Sequence, residues 1–228
     1  MTVHLGSKAP NLHVAEWIQG LPTNIDKNIG KVVLVEVLQV NCPGCFMYAI
    51  PNAIEIYKNY SKDDVVVLGL ATAFEDYDKN TIDNLRLLLS SGQVIGETLN
   101  ALNQYGQLKD GNKLNYKIPF PVGMDILRQN TTNYLDTDIF KYIEANISNY
   151  DSYSESDKKI LFERVKYYLK NKKYSALTFD QYQLQGTPSA ILVDRKGILK
   201  NVFFGANNYL NGLINQLVNE WMNEWMNE

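Results

Sequence analysis

The stretch KVVLVEVLQVNCPGCF, residues 31–46, joins two patterns that ordinarily belong to different elements. Lys31 to Val40 is an almost unbroken run of β-branched and apolar residues, with Glu36 the only charge inside it. A run of that kind marks a strand buried on both faces, as in a parallel sheet covered by helices. The run ends at CPGC. Phe46, Ala49, Ile50, Ala53, Ile54 and Tyr57 then recur at helical spacing, one apolar face of an amphipathic helix. Pro51 falls inside that pattern; lacking an N–H and crowding the preceding turn, it should kink the helix about one turn in.

Outward from this stretch the alternation of strand and helix continues. DVVVLGLAT (64–72) reads as a second buried strand, and helical patterns cover 81–90 and, after Ser91 and Gly92, 94–105. PFPVGMD (119–125) reads as a short strand. This order implies right-handed βαβ crossovers and a parallel core. Near the end, SAILVD (189–194) and ILKNVFF (198–204) flank RKG, a hairpin with Gly197 in the turn. A closing helix places Leu210, Leu213, Ile214, Leu217, Val218, Trp221, Met222 and Trp225 on one core-facing stripe. It ends in a repeated WMNE too short to be a structural repeat.

Between these parts, from Ile126 to about Tyr174, seven tyrosines (134, 142, 150, 153, 167, 168 and 174) sit among Asn, Asp, Ser and Lys. SESDKKILFERVKYYLK (154–170) carries helix-start chemistry followed by apolar periodicity. We read residues 1–228 as a single α/β domain with a helical, Tyr-rich insertion at about 126–174. The plain role for such an insertion is to pack its rings on the domain and cover a sheet edge. The alternative is a binding surface for one partner, because a tyrosine ring is apolar while its hydroxyl stays wet. Its place before Thr187-Pro188 would let it overhang CPGC and restrict substrates.

Composition narrows the function classes. The 228 residues are 45% apolar and 21% charged, with a net charge of −3, which argues against a nucleic-acid partner. No apolar run approaches the roughly 18–20 residues needed to span a bilayer, so no membrane partner is expected. MTVHLGSKAPNLHVAEW has neither a basic n-region nor an apolar h-region, so a cytoplasmic location is expected. A periplasmic or exported location would follow if a leader had been removed.

Both cysteines of the chain lie in CPGC, where a buried strand meets a helix. A helix N-terminus offers unpaired N–H groups and the positive end of the macrodipole, so a thiolate there is stabilised. Its pKa should fall from about 8.5 toward roughly 7 or below. Cys42 takes the N-cap and Pro43 the first helical position, where a missing N–H costs nothing. The Cys42 thiolate must then rely on the N–H groups near Gly44 and Cys45. Cys45, next to Phe46 on the apolar face, should be the more buried thiol, placed to attack a mixed disulfide formed at Cys42. Glu36, a carboxyl in an apolar strand, should have a raised pKa and could move the proton of the resolving thiol. The alternative is a strand-end acid paired with a lysine or facing solvent. Downstream, GTPSAILVD (186–194) sets Thr187-Pro188 just before a strand, and a cis X–Pro bond is usually a placed feature of a tight turn.

Strand-CPGC-helix, followed by Gly186-Thr187-Pro188, a hairpin and a final helix, resembles the thioredoxin-like superfamily. The APN opening (Ala9–Asn11) is similar to its TlpA and peroxiredoxin-related branch. The resemblance covers roughly 7–125 and 180–226. It implies a thioredoxin-like fold, a central mixed β-sheet flanked by helices, with the helical insertion before the cis-Pro strand. It implies a thiol–disulfide oxidoreductase in which Cys42 is the nucleophile and Cys45 resolves. The Thr187 backbone would pair with an extended substrate, and a cis Pro188 would face the disulfide. Glu36 matches the buried acid that thioredoxins hold six residues before the first cysteine. No bound cofactor is implied. The expected partners are a disulfide-containing protein or small molecule and an upstream dithiol electron donor. Asn41 stands where thioredoxin has Trp, and Pro-Gly replaces Gly-Pro between the cysteines, so docking and redox poise do not transfer.

Three rival readings follow from the same residues. A peroxiredoxin-like peroxidase would use Cys42 as its peroxidatic cysteine, with Arg86 or Arg128 stabilising the thiolate. That family needs a Pro and a Thr or Ser upstream, where this chain has Val35 and Gln39. A zinc site would need paired histidines, and His4 and His13 are nine apart and upstream, His13 within the strand-like LHVAEWI; no metal is expected. A non-enzymatic binding module or redox switch would work through the Tyr-rich insertion.

Overall fold

The strand expected over 31–40 forms over Val32–Leu38, and each of its seven residues is buried. The structure is a computed structural model and describes residues 3–147, 149–207 and 209–226. In chain order, β1 (Val14–Gln19) and β2 (Val32–Leu38) come first. A π turn, Cys45–Ala49, then leads into α1 (Ile50–Asn59), followed by β3 (Val65–Ala71). α2 (Ile82–Ser91) and α3 (Gly96–Gln104) precede the two-residue strands β4 (Leu108–Lys109) and β5 (Lys113–Leu114). Then come β6 (Val122–Asp125), β7 (Leu127–Gln129), α4 (Asp136–Asn146), α5 (Glu155–Asn171) and β8 (Tyr174–Ala176). The chain finishes with α6 (Leu177–Gln181), β9 (Ser189–Val193), β10 (Leu199–Phe204) and α7 (Leu210–Met226). The stripe residues Trp221, Met222 and Trp225, and the repeated WMNE, lie outside the described side chains.

Six strands form one mixed sheet in the order β1-β6-β3-β2-β9-β10. β2, β3 and β6 run parallel, while β1, β9 and β10 are antiparallel to their neighbours. The hairpin expected around RKG is β9–β10, and Gly197 sits in its turn at φ +78°, where a side chain would be strained. The parallel pair β2–β3 is joined through α1, the βαβ unit that the alternation of patterns predicts.

Side-chain alternation along β2 sorts the core into two layers. Val32, Leu34 and Leu38 pack with Phe46, Ile50, Leu85, Leu102 and Ile214 of the helical face. Val33, Val35 and Val37 pack on the other side with Leu12, Ile25, Phe179 and Tyr182. Glu36 has the parity of Leu34 and Leu38, so it points toward the helical face, the side that holds Cys45.

Two compact units divide the chain: residues up to Leu127 together with those from Ala176 on, and Arg128–Ser175. The second unit holds α4 and α5 around a small core of Ile139, Ile143, Val165 and Leu169, with Tyr134, Tyr150 and Phe162 packed against it. Helix-start chemistry at Ser154 appears as an N-cap, its hydroxyl accepting from the Asp157 N–H. Phe140, Tyr142, Tyr153, Tyr167 and Tyr168 are exposed.

Candidate active site

Strand β2 ends at Leu38, three residues before Asn41, and the helical turn begins at Pro43, which leaves Cys42 at the start of the helix. The two thiols meet there. The Cys45 thiol donates to the Cys42 sulfur at 2.8 Å, and the Cys45 N–H donates to the Cys42 carbonyl at 3.1 Å. Cys45 is fully buried, at 0% exposure, whereas Cys42 is only partly so.

The pair is electrostatically split. The hydrogen bond from Cys45, helped by Thr187 and by the Cys45 and Gly44 N–H groups, lowers the Cys42 pKa to about 7 against an opposing push from burial. Burial, the same bond to Cys42 and the charges of Cys42 and Glu36 push Cys45 well above the ordinary thiol range. Two chemically identical side chains are thus set apart as an accessible thiolate and a buried thiol.

Thr187 and Pro188 close over the pair. Their peptide bond is cis, and the Cys42 thiol donates to the Thr187 carbonyl at 3.4 Å. The Thr187 hydroxyl has one proton to give, and the Gln39 Oε1 receives it at 3.2 Å. Its stabilising pull on the Cys42 thiolate requires that proton to turn from Gln39 to sulfur. Gln39 is itself buried and donates through Nε2 to the Glu75 carbonyl at 3.2 Å. It therefore ties the loop after β3 to the Thr187-Pro188 loop across the thiols.

Glu36 is 3% exposed, which removes the reading of a solvent-facing acid. Burial raises its pKa well above the ordinary carboxyl value, and the charge of Cys42 raises it further. The structure thus brings Glu36, Cys42, Cys45, Thr187 and Pro188 into one site at the end of β2.

Asn41, in sequence merely the residue before the first cysteine, holds three segments together. Its N–H donates to Asn80 Oδ1 at 2.9 Å and its Nδ2 to Asp76 Oδ2 at 2.7 Å. Its Oδ1 accepts from the Glu97 N–H at 2.7 Å, in the first turn of α3. A Cβ at Gly96 would run into that oxygen, and Gly96 sits at φ +54°, so this close approach requires glycine. Sequence reading also missed Gln39 as a site residue, and the only signal was a buried amide at the end of an apolar strand.

Where a kink is expected at Pro51, the helix carries a disturbance. The turn ahead of the proline widens over Cys45–Ala49, and the Ile50 N–H bonds the Cys45 carbonyl five residues back. The proline ring crowds the carbonyl four residues before it, and widening the turn relieves that crowding.

Arg86 is not a thiolate partner. Its guanidinium forks onto both Glu16 carboxylate oxygens at 2.9 and 2.8 Å and reaches Asp83 at 3.0 Å. Arg128 belongs to the Arg128–Ser175 unit. Among the described residues no helix is long and apolar enough to cross a membrane.

No family profile and no curated protein sequence matches the chain. Solved structures do. A thiol-disulfide isomerase from Corynebacterium glutamicum is similar at 26% identity and a TM-score of 0.58, covering 93% of this chain and 96% of its own. A thioredoxin-like superfamily protein is similar at 26% identity and a TM-score of 0.56, covering 92% and 96%. With its mixed sheet flanked by helices and these neighbours over nearly its whole length, the chain belongs to the thioredoxin-like superfamily.

Proposed function

We propose that the chain is a thiol–disulfide oxidoreductase whose working group is the Cys42–Cys45 dithiol. The observation that carries this reading is the asymmetry of the pair. A partly exposed Cys42 with a lowered pKa accepts a hydrogen bond at 2.8 Å from a fully buried Cys45 with a raised one. Similarity to a thiol-disulfide isomerase supports it.

In the reaction, the Cys42 thiolate attacks one sulfur of a substrate disulfide. That S–S bond breaks, the first substrate thiolate leaves and takes a proton, and a mixed disulfide joins Cys42 to the substrate. Cys45 then gives up its proton, with Glu36 as acceptor, and attacks the Cys42 sulfur. The second substrate thiolate leaves, so the substrate gains two electrons and the pair becomes a disulfide. A dithiol donor returns the pair to its starting state by the same exchange. Thr187 offers backbone groups beside Cys42 to an extended substrate, and Pro188 shapes the groove. In a cytoplasm kept reducing by glutathione the pair rests as the dithiol, and the net flux is reduction.

A Cys45→Ser protein tests the scheme, because it forms the mixed disulfide without resolving it. Incubation with oxidised glutathione and with a disulfide-containing protein should yield covalent adducts through Cys42, read by intact mass. Absence of adducts, together with rapid conversion of Cys42 to sulfenic acid by peroxide, would overturn this reading in favour of a peroxidase.

A further inference from the structure

The widened turn after CPGC leaves a hydrogen-bonding problem that only part of the helix can solve. In the register set by the Ile50 N–H on the Cys45 carbonyl, the donor next in line for the Phe46 carbonyl is the N–H of residue 51. Residue 51 is proline and has none. The Phe46 carbonyl sits beside a fully buried cysteine and a buried ring, where an unpaired acceptor is costly.

Tyr116 supplies the missing donor. It lies on the segment between β5 and β6, seventy residues away in sequence, and its hydroxyl donates to the Phe46 carbonyl at 2.7 Å. Its ring packs against the cluster that contains Cys45, Phe46 and Ile50. Burial, and secondarily the Cys45 charge, push the phenol pKa upward, so the hydroxyl keeps its proton over the range in which thiols titrate.

We propose that Tyr116 is a positioning residue of the redox pair: its hydroxyl completes the turn that Pro51 leaves open and thereby seats Cys45 against Cys42. This rests on the reading of Cys42–Cys45 as a working dithiol. Without the hydroxyl, the Phe46 carbonyl has to find water or a rewound turn, and Cys45 shifts with it. The Cys45 hydrogen bond, the largest stabiliser of the Cys42 thiolate, then weakens.

The test is Tyr116→Phe, alone and combined with Pro51→Ala, which restores an N–H at residue 51. Two quantities are read for each folded protein: the thiolate titration of Cys42 by ultraviolet absorbance, and the dithiol–disulfide equilibrium against glutathione. Tyr116→Phe should reduce the acidity of Cys42 about threefold, the scale of one ordinary hydrogen bond. It should also move the glutathione equilibrium about threefold toward the disulfide, because the thiolate form loses stability. In the Pro51→Ala background both shifts should shrink toward zero. Unchanged readouts in Tyr116→Phe would overturn the proposal while leaving the redox reading intact. Equal shifts in both backgrounds would overturn it too, since the effect would not run through the Phe46 carbonyl. A wild-type pair that does not exchange with glutathione would overturn the redox reading itself, and this inference with it.

Discussion

Glu36 and Asp125 are both buried carboxyls of the central sheet, on strands separated only by β3. Glu36 is 3% exposed and Asp125 1%, and burial is the largest influence raising the pKa of each. Their surroundings differ. Asp125 accepts from the Thr178 N–H at 2.9 Å, the Phe179 N–H at 3.2 Å and the Thr72 hydroxyl at 3.1 Å, and each of these favours its charge. The other influence on Glu36 is Cys42, which disfavours its charge. One carboxyl is held by donors and closes the start of α6, while the other is left beside a titrating thiol. Burial alone does not make an acid chemical. The lack, among the described residues, of a comparable set of donors, with a titrating thiol whose charge acts on it, does.

The largest effect that would sharpen this contrast is on folding. Asp125→Ala leaves two buried N–H groups and a hydroxyl without their acceptor and should cost about 3 kcal/mol in urea unfolding. Asp125→Asn keeps one acceptor oxygen and should cost about half as much. If Glu36→Gln proved equally destabilising under the same conditions, the distinction between the two carboxyls would collapse.

Next in size is an effect on rate. With Glu36→Gln, resolution of a Cys42 mixed disulfide should slow at least about tenfold near pH 7, because the Cys45 proton loses its acceptor. Rapid-quench trapping of the glutathione adduct measures this step directly. Formation of the adduct at Cys42 should change little, and a variant slowed equally in both steps would assign Glu36 a structural part instead.

A smaller effect appears in the pH dependence of stability. The Glu36 pKa is raised on folding, so above its ordinary value of 4.5 the native protein binds more protons than the unfolded chain. Stability then falls as pH rises from that point toward the raised value. Glu36→Gln removes this contribution, so its stability relative to wild type should improve steadily as pH rises from 4.5 to 7. Asp125 titrates in both proteins and cancels from the difference. Parallel stability curves for the two proteins over this range would contradict the burial of an ionisable Glu36.

What the sequence made legible follows the range of the interactions involved. The buried strands, CPGC at a strand–helix junction and the Thr187-Pro188 loop are written in contiguous residues, and Glu36 stood out as a lone charge in an apolar run. Asn41, Tyr116 and Asp125 carry no local signal, and Gln39 carries only that of an amide near the end of an apolar run. Each is defined by a partner 35 to 148 residues away, as in Asn41–Asp76, Asp125–Thr178, Tyr116–Phe46 and Gln39–Thr187. Pro51 announced a disturbance in the helix, yet the donor that meets the Phe46 carbonyl there, Tyr116, is one no helical pattern contains. The short ribbon strands β7 and β8, three residues each, are too brief for a period-2 pattern to register.

The smallest predicted effect decides the order in which the site loses its protons. The charge of Cys42 raises the Glu36 pKa, and repulsion between two charges is reciprocal. Whichever group ionises second therefore carries the penalty. Burial holds the Glu36 proton, while hydrogen bonds draw the Cys42 pKa down to about 7, so the thiolate is expected to form first, facing a neutral carboxyl. The Cys42 midpoint in Glu36→Gln should therefore stay within about 0.3 units of wild type in a thiolate titration. A downward shift of about one unit would mean that Glu36 ionises first. The order matters to the reaction. Once Cys42 is tied up in a mixed disulfide its charge is gone, and the smaller of the two influences that raise Glu36 is lifted, which brings the carboxyl closer to ionising beside Cys45 at the step that needs a base.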